Sequence, residues 1–413
     1  MSNLTENTPC PPVGGFYYRL INKSPLGDLG VKMFHIKSPL GDSMVNLFSF
    51  CLTMFLLEFI ITGKAISQNP GNPATTVKIG LLVQDSRYLS AINGAELAIL
   101  EANEKGGPGG MKFGLAVRSM EGPWGTGSKQ AVDLIFKEKV WALMGLHDGR
   151  NAHLVEQAAT KSQVVFLSAW SGDPTLSQAF VPWFFNCVPN DNQQAAAIFK
   201  EIYEIRKYRN IVVVHGNDYD SGKSYVSFMN FVKKSGKPDP LQFNLEDNAQ
   251  KTGFLAEKIT QSDADCIILF CTTKASLELI RQIQNNNPKP QVFGPLSILN
   301  ENELPAQELK LFYNNLSVPS GEWPEAENRK FRQEFQKKYG YEPGMTASYS
   351  YDAMRILIEA VRQTGKSDYE LIQKSLKNIR FNGVTGPVRF DDKGNRMGKF
   401  EIKKTRNGVP ITF

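Results

Sequence analysis

From Val77 onward, short apolar runs alternate with segments in which apolar residues return every three or four positions, and turns of small or polar residues separate the two. Short β-branched runs bounded by such turns read as strands, and the three-to-four return reads as one buried face of a helix. On that basis strands are expected at 77–83, 112–118, 142–145, 164–168, 211–215, 266–271 and 291–293. The clearest helix, 93–104, lines up Ala95, Ala98, Ile99 and Ala102 on one stripe and turns Glu96, Glu101 and Glu104 outward. Strand, helix and strand in repeated succession give parallel sheets covered by helices on both faces, so the fold class is α/β and doubly wound. Seven runs exceed one small sheet. A break at Val188-Pro189-Asn190-Asp191 starts a second series. Later, Ser317-Val318-Pro319-Ser320 precedes helices expected at 325–339 and 345–364, and the tail from Gly386 onward is β-rich. Two lobes joined by three crossings of the chain account for this order.

The first 75 residues break the pattern. Residues 44–61 are strongly apolar and lead into Thr62-Gly63-Lys64-Ala65-Ile66-Ser67-Gln68, where Ala65 and Ser67 take the small-residue positions of a secretory cleavage site. Residues 44–67 therefore read as a signal sequence, with a membrane anchor over 44–61 as the rival reading, since that length is near the lower limit for crossing a bilayer. Upstream, Lys23-Ser24-Pro25-Leu26-Gly27-Asp28 recurs as Lys37-Ser38-Pro39-Leu40-Gly41-Asp42 within a segment that has no helical or strand periodicity. Residues 1–43 read as non-native or disordered upstream sequence, with translation starting at Met33 or Met44.

Composition narrows the function classes. A chain of 413 residues, 41% hydrophobic and 21% charged, buries large cores. Its net charge of +6 is spread without a run of like charges, which speaks against a nucleic-acid partner. Cys10 and Cys51 fall in the first 75 residues, leaving Cys187, Cys266 and Cys271; their spacing fits no metal site. Cys266 and Cys271, five apart on one strand, point to opposite faces and read as buried free thiols. No nucleophile elbow, phosphate loop, HExxH or other cofactor motif is present, and four histidines offer little for acid–base chemistry. An enzyme is disfavoured and no cofactor is expected.

Four stretches carry a resemblance to a known family. Asn93-Gly94-Ala95-Glu96-Leu97-Ala98 running on to Ala102-Asn103-Glu104-Lys105-Gly106-Gly107 looks like its first helix and glycine stop. Lys139-Val140-Trp141-Ala142-Leu143-Met144-Gly145 looks like the strand that enters the ligand loop. Ser348-Tyr349-Ser350-Tyr351-Asp352-Ala353 with Glu359-Ala360 is similar to the late helix, and Phe381-Asn382-Gly383-Val384-Thr385-Gly386-Pro387-Val388-Arg389-Phe390-Asp391 to the return into the second lobe. Across roughly 76–402 the chain resembles the type I periplasmic solute-binding proteins, in particular the leucine/isoleucine/valine-binding substrate-binding family of branched-chain amino-acid ABC transporters. The resemblance implies a first lobe of 76–189 plus 320–382, a second of 190–319 plus 383–413, hinge closure on a small solute, export to the periplasm and an ABC-transporter permease as partner. A ligand-sensing receptor or regulator domain of the same fold is the alternative.

The pocket candidates are loops beyond the carboxyl ends of strands. After Gly145 comes Leu146-His147-Asp148-Gly149-Arg150, where the resemblance implies small hydroxyl residues that hold a ligand carboxylate. Gly149 still offers an amide, and Arg150 adds a guanidinium suited to an anion. His147 reads equally as a pocket group and as a capping or core histidine. In the next loop Ser171 and Gly172 fit a small-residue carboxylate site, and Trp170 suits stacking on a planar or apolar portion of the ligand; Trp124 is a weaker candidate for the same role. Tyr88 is the candidate aromatic wall. In the second lobe Tyr219 sits in a tyrosine-and-glycine closure loop, with Asp218 or Asp220 capping the helix that follows. Thr272 and Thr273 read equally as ligand contacts and as a helix cap. At Leu296 the family implies a carboxylate that pairs with a ligand ammonium. The place is apolar here, so either Asp218 or Asp220 substitutes, or the solute is an aromatic carboxylate, an amide or a urea-like compound. Amino-terminal sequencing of the secreted protein should find Gln68 first; a chain beginning near Met1 would overturn both the upstream and the signal readings.

Overall fold

The computed structural model describes residues 76–410 except 179–180, 246–247, 284–289, 305–307, 309–315 and 407. The expectations for 1–43, for the signal sequence 44–67 and for Cys10 and Cys51 lie outside the described residues. No helix among the described residues is long and apolar enough to cross a membrane.

Strands β1 (Thr76–Val83), β2 (Lys112–Ser119), β3 (Ala142–Leu146), β4 (Phe166–Ser168) and β5 (Phe184–Asn186) form one sheet in the order β2-β1-β3-β4-β5, every pair parallel. Both faces are apolar because both are covered. Ile79, Leu81 and Met144 enter the largest buried cluster, whereas Leu82, Leu143 and Phe166 face a second one. Helix α1 (Leu89–Glu104) packs along one face, α2 (Thr126–Phe136) and α3 (Gly149–Ser162) along the other. A Cβ on Gly94 would run into the carbonyl oxygen of Ala347, so glycine allows α1 to approach the long helix at Met345–Thr364 closely.

Helix α4 (Asp191–Phe199) opens the second half, its Asn190 cap completed by Gln193 in a capping box. Strands β6 (Ile211–His215), β7 (Leu241–Asn244), β8 (Cys266–Phe270), β9 (Gln291–Phe293) and β10 (Leu316–Ser320) continue it with helices α5 (Tyr219–Ser235), α6 (Ala249–Gln261) and α7 (Thr273–Ile283). Here too the pleat divides the strands cleanly. Val212, Val214, Ile267 and Leu269 face one cluster, and Ile211, Val213, Cys266, Ile268 and Phe270 the other. Cys266 and Cys271 join opposite clusters and are free, as is buried Cys187.

After β10 the chain returns to the first sheet. It forms α8 (Glu325–Tyr339), then α9 (Met345–Thr364), which packs on α1, β3 and β4, then α10 (Tyr369–Lys377) and the hairpin of β11 (Phe381–Gly383) and β12 (Gly386–Val388). It ends in β13 (Glu401–Arg406) and β14 (Val409–Pro410); β13 runs antiparallel to β10, giving a second sheet of order β14-β13-β10-β9-β8-β6-β7. The chain thus passes between the sheets after Asn186, after Ser320 and after Val388. Four strands were not legible in the sequence: β5 and β11 are only three residues long, β7 is an edge strand with mostly exposed side chains, and β10 contains Pro319, a residue that discourages a strand assignment.

The crossings are fastened by Arg396, which is 2% exposed. Its guanidinium donates to the carbonyls of Cys187 (2.9 Å), Thr385 (2.8 Å) and Pro387 (3.2 Å) and lies over the ring of Tyr349. Asp352, on α9 and fully buried, accepts from the amides of Val384 and Thr385 and from the Thr385 hydroxyl. Arg396→Met preserves apolar bulk but strands buried carbonyls, so it should cost about 3 kcal/mol or more. Urea denaturation should show this loss, against a change of at most about 0.5 kcal/mol for the control Arg389→Met on an exposed side chain.

Candidate functional site

The carboxyl ends of the parallel strands in both sheets point at one cavity of about 640 Å³. Gln84, Asp85 and Tyr88 after β1, Asp148 and Arg150 after β3, and Trp170 after β4 form one wall. Opposite stand the turn from Asn217 to Ser221 after β6, Thr272 and Lys274 after β8, and Ser297, Asn300 and Glu303 after β9. Loops and helix N-termini collect at this edge of a parallel sheet because every strand feeds a helix there.

Much of the wall is held by its own polar bonds. Asp85 accepts from the Arg87 guanidinium at 2.7 and 3.0 Å, and that contact keeps its carboxyl below the usual range. The buried Tyr88 hydroxyl receives the amide of Asn300 at 2.9 Å. Glu303 accepts from the Asn300 side chain and the Lys274 amide, yet burial still raises its pKa. Arg150 is exposed at the rim, its guanidinium 5.8 Å from the Trp124 ring centre and 5.6 Å from that of Tyr219.

Hydrogen bonds join the two walls at several points. Besides Asn300 to Tyr88, Glu301 accepts from the Ser90 hydroxyl on α1 and from the Thr346 and Ala347 amides of α9. Two more involve the acids of the opposing loops. The Gly149 amide, at the start of α3, donates to Asp220 Oδ1 on α5 at 2.9 Å, and the Tyr219 hydroxyl donates to Asp173 Oδ2 at 2.7 Å. Asp173 also accepts from Thr175 and His153. Burial pushes the Asp173 carboxyl up, but the bonds from His153, Thr175 and Tyr219 outweigh it and hold the group well below the ordinary range. Its partner His153 is raised to about 9, first by Asp173 and then by Glu156. Asp220 has no such cation: burial drives its pKa well above the usual value, and Asp191, Asp148 and Asp218 push the same way.

Behind Trp170 lies a water-sized recess of about 10 Å³, walled by Gly172, Asp191, Gln194, Asp220, Ser224 and Leu296 among others. Burial pushes Asp191 up to about 7. The Leu296 amide donates to Gln194 Oε1 at 2.8 Å, which fixes that side of the recess.

The structure brings Tyr88, Arg150, Trp170, Tyr219 and Thr272 onto the large cavity, and Trp170, Gly172 and Leu296 onto the recess. Gly149 lies at its edge with its amide taken by Asp220. Three other candidates line neither space. His147 is 1% exposed, stacked on Phe166, and burial lowers its pKa so that it is neutral. Ser171 is fully buried and accepts from the Asp173 amide. Thr273 is buried and donates to the Ile298 carbonyl. Trp124 is 72% exposed beneath Arg150. Of the proposed caps, Asp218 does cap α5 through the Ser221 amide, whereas Asp220 reaches across the cleft. Sequence reasoning missed Asn300, Glu303 and Asp191. The polar cluster Asn300-Glu301-Asn302-Glu303 directly after an apolar run was the available signal for the first two, and nothing local marks Asp191.

The periplasmic binding protein family matches residues 76–399. In sequence the chain is similar to Leu/Ile/Val-binding protein homolog 1 of Brucella melitensis, 23% identical over 310 residues that cover 73% of this chain and 81% of the relative. It is also similar to Glutamate receptor 2.9 of Arabidopsis thaliana, 21% identical over 395 residues that cover 85% of this chain and 41% of the receptor. In fold it is similar to the branched-chain amino acid transporter substrate binding protein LivJ from Streptococcus pneumoniae in complex with isoleucine, with a TM-score of 0.70, 20% identity, and 82% and 98% of the two chains covered. A solute binding protein of an ABC transporter from R. palustris, in complex with benzoate, gives a TM-score of 0.70 at 17% identity over 82% and 95% of the chains.

The His153 pair sets a pH dependence. Its folded pKa of about 9 lies above the ordinary 6.5, so its contribution to stability is full below 6.5 and disappears as pH rises through about 9. The urea midpoint of the wild type should fall across that window, while His153→Gln stays flat; parallel profiles would show that the pair contributes nothing.

Proposed function

The chain belongs to the periplasmic binding protein family, and we propose that it is the extracytoplasmic substrate-binding protein of an ABC-type uptake system, closing two lobes on a small amino-acid-like, amide or aromatic carboxylate solute. The observation that carries this reading is the 640 Å³ cavity at the facing strand ends of both sheets. Its volume suits a small metabolite, within the ~300–1,000 Å³ of such sites, and its walls combine aromatic faces with a few fixed polar groups. Lobes of 76–189 plus 320–382 and 190–319 plus 383–413 fit the three passages between the sheets. Export through the segment 44–67, delivery to a membrane permease, and binding without catalysis complete the reading. Folds alone do not separate transport from sensing. The likeness to Glutamate receptor 2.9 supports a ligand-sensing receptor domain as the second reading.

Calorimetry against a panel of metabolites tests the binding role. One solute class should bind and raise the unfolding temperature, and small-angle scattering should show compaction with it. Arg150→Ala should weaken binding about tenfold, equivalent to about 1.4 kcal/mol, with the unfolding midpoint unchanged because the side chain is exposed. Trp170→Phe, which retains most of the packing of this buried ring, should weaken binding as well. Unchanged affinity in both variants would remove the cavity from consideration as the binding site.

A further inference from the structure

We propose that the turn Asn300-Glu301-Asn302 is a latch: from the second lobe it supplies the N-terminal caps that α1 and α9 of the first lobe lack, so the empty cleft is held shut by completing two helices and opens only by uncapping them. This rests on the two-lobe solute-binding reading and deepens it. Control of solute affinity falls to a side chain, Glu301, that lines neither the cavity nor the recess.

A helix begins with backbone amides that have no partner within it, and an Asp, Asn, Ser or Thr just ahead of it ordinarily takes one of them. Helices α3, α5 and α10 follow that rule with Asp148, Asp218 and Asp368, and α4 and α6 with Asn190 and Asn248. At the same position α1 has Tyr88 and α9 has Gly344, and neither residue caps its helix. The caps come from the opposite wall. Glu301 accepts the Thr346 and Ala347 amides of α9, both at 2.9 Å, and Asn302 Oδ1 accepts the Ser90 amide of α1 at 3.3 Å. The Ser90 hydroxyl lies 2.8 Å from Glu301 Oε1 and 2.8 Å from the Thr346 hydroxyl, and Asn302 Nδ2 donates to Thr346 Oγ1 at 2.7 Å. Asn300 Oδ1 shapes the turn by accepting the Asn302 amide at 3.1 Å.

Charge favours the same arrangement. Helices α1 and α9 run side by side in one direction, with the Ser350 hydroxyl on the Ala91 carbonyl near their starts and the Arg362 guanidinium on the Ala102 carbonyl near their ends. Two positive dipole ends therefore converge on the carboxylate of Glu301. Space is kept for it: a Cβ on Gly344 would collide with that carboxyl, although φ of −99° and ψ of −153° are open to any residue. Glycine stands at 344 for the sake of Glu301, not of the backbone.

The two caps exist only while the lobes are closed. The apparent dissociation constant of a solute varies inversely with the fraction of protein in the competent state, so a latch that holds the closed form tightens binding from outside the pocket. Asn302 lines the cavity and Asn300 reaches Tyr88 on its far wall, which joins the latch to the surface a solute would touch.

The test compares the empty wild type with Glu301→Ala and Gly344→Asp by small-angle scattering and urea denaturation. Glu301→Ala removes the cap of α9. Gly344→Asp gives α9 a cap of its own and evicts Glu301, so it separates the latch from the mere presence of a cap. Both variants should show a larger radius of gyration than the empty wild type, and Gly344→Asp should unfold at a higher urea midpoint than Glu301→Ala. In calorimetry with free L-amino acids and benzoate as probes, whichever probe binds the wild type should bind each variant about tenfold more weakly, as expected from one lost cap. Profiles of the empty variants superimposable on that of the wild type would overturn the latch. The solute-binding reading would survive that result if a probe still compacts the wild type, and would fall with it if no probe binds. Should one variant fail to fold, the scattering of the other decides.

Discussion

Two of the three segments that pass between the sheets are tied directly to the guanidinium of Arg396, and the third is held against the same spot. The Cys187 carbonyl belongs to the first passage, and the Thr385 and Pro387 carbonyls to the last. The second passage lies against Gly386, where a Cβ would meet the Glu322 carbonyl and where φ of +97° already calls for glycine. A buried cation is costly unless its donors are used; here three backbone carbonyls and the Thr385 hydroxyl take Nη1 and Nη2, the Tyr349 ring lies under the guanidinium, and only Nε is left without a partner. The carboxylate of Asp352 balances the arrangement one residue away, through Thr385. What results is a joint at which all three passages meet, and the carboxyl ends of the two sheets face each other beside it.

That constraint explains why function collects where it does. Each parallel sheet exposes loops at one edge, and the joint sets those edges opposite one another, so groups distant in sequence meet at the cavity. Tyr219 reaches Asp173, and Asp220 reaches the Gly149 amide. The same meeting creates the electrostatic problem of the site, because several carboxylates converge with few free cations. His153 resolves it for Asp173, and Arg87 for Asp85. Asp191 and Asp220 are left with raised pKa values.

Most of the central strands and their two faces were legible in the sequence because burial on both sides imposes short apolar runs bounded by turns. Val212 and Ile211 fall to opposite clusters as the pleat demands. The helices at 325–339 and 345–364 were legible for the same reason, through their period. At the site, aromatic and glycine loop residues such as Tyr88, Trp170 and Gly172 could be located from their place after strands. The fate of a polar side chain could not. Thr272 and Thr273 are adjacent and alike, yet one lines the cavity and the other is consumed by the Ile298 carbonyl. Asp218 and Asp220 present the same ambiguity: two residues apart on a helix start, one caps its own helix and the other leaves it. Only the opposing surface decides between such roles, and that surface is a hundred or more residues away for Asp191 and Leu296.

The bonds that join the facing walls are not equivalent. A neutral hydrogen bond contributes a net ~0.5–1.5 kcal/mol and one to a charged group ~1.5–3. Tyr219 to Asp173 is of the second kind, but Gly149 to Asp220 is offset by the burial that raises the Asp220 pKa. Elsewhere Asn300 reaches the Tyr88 hydroxyl, and Glu301 accepts from Ser90 and from the Thr346 and Ala347 amides, where the positive end of the α9 dipole favours a carboxylate. The walls are therefore tied most firmly beside α1 and α9 and least firmly where Asp220 meets Gly149, so that contact is the one most readily exchanged.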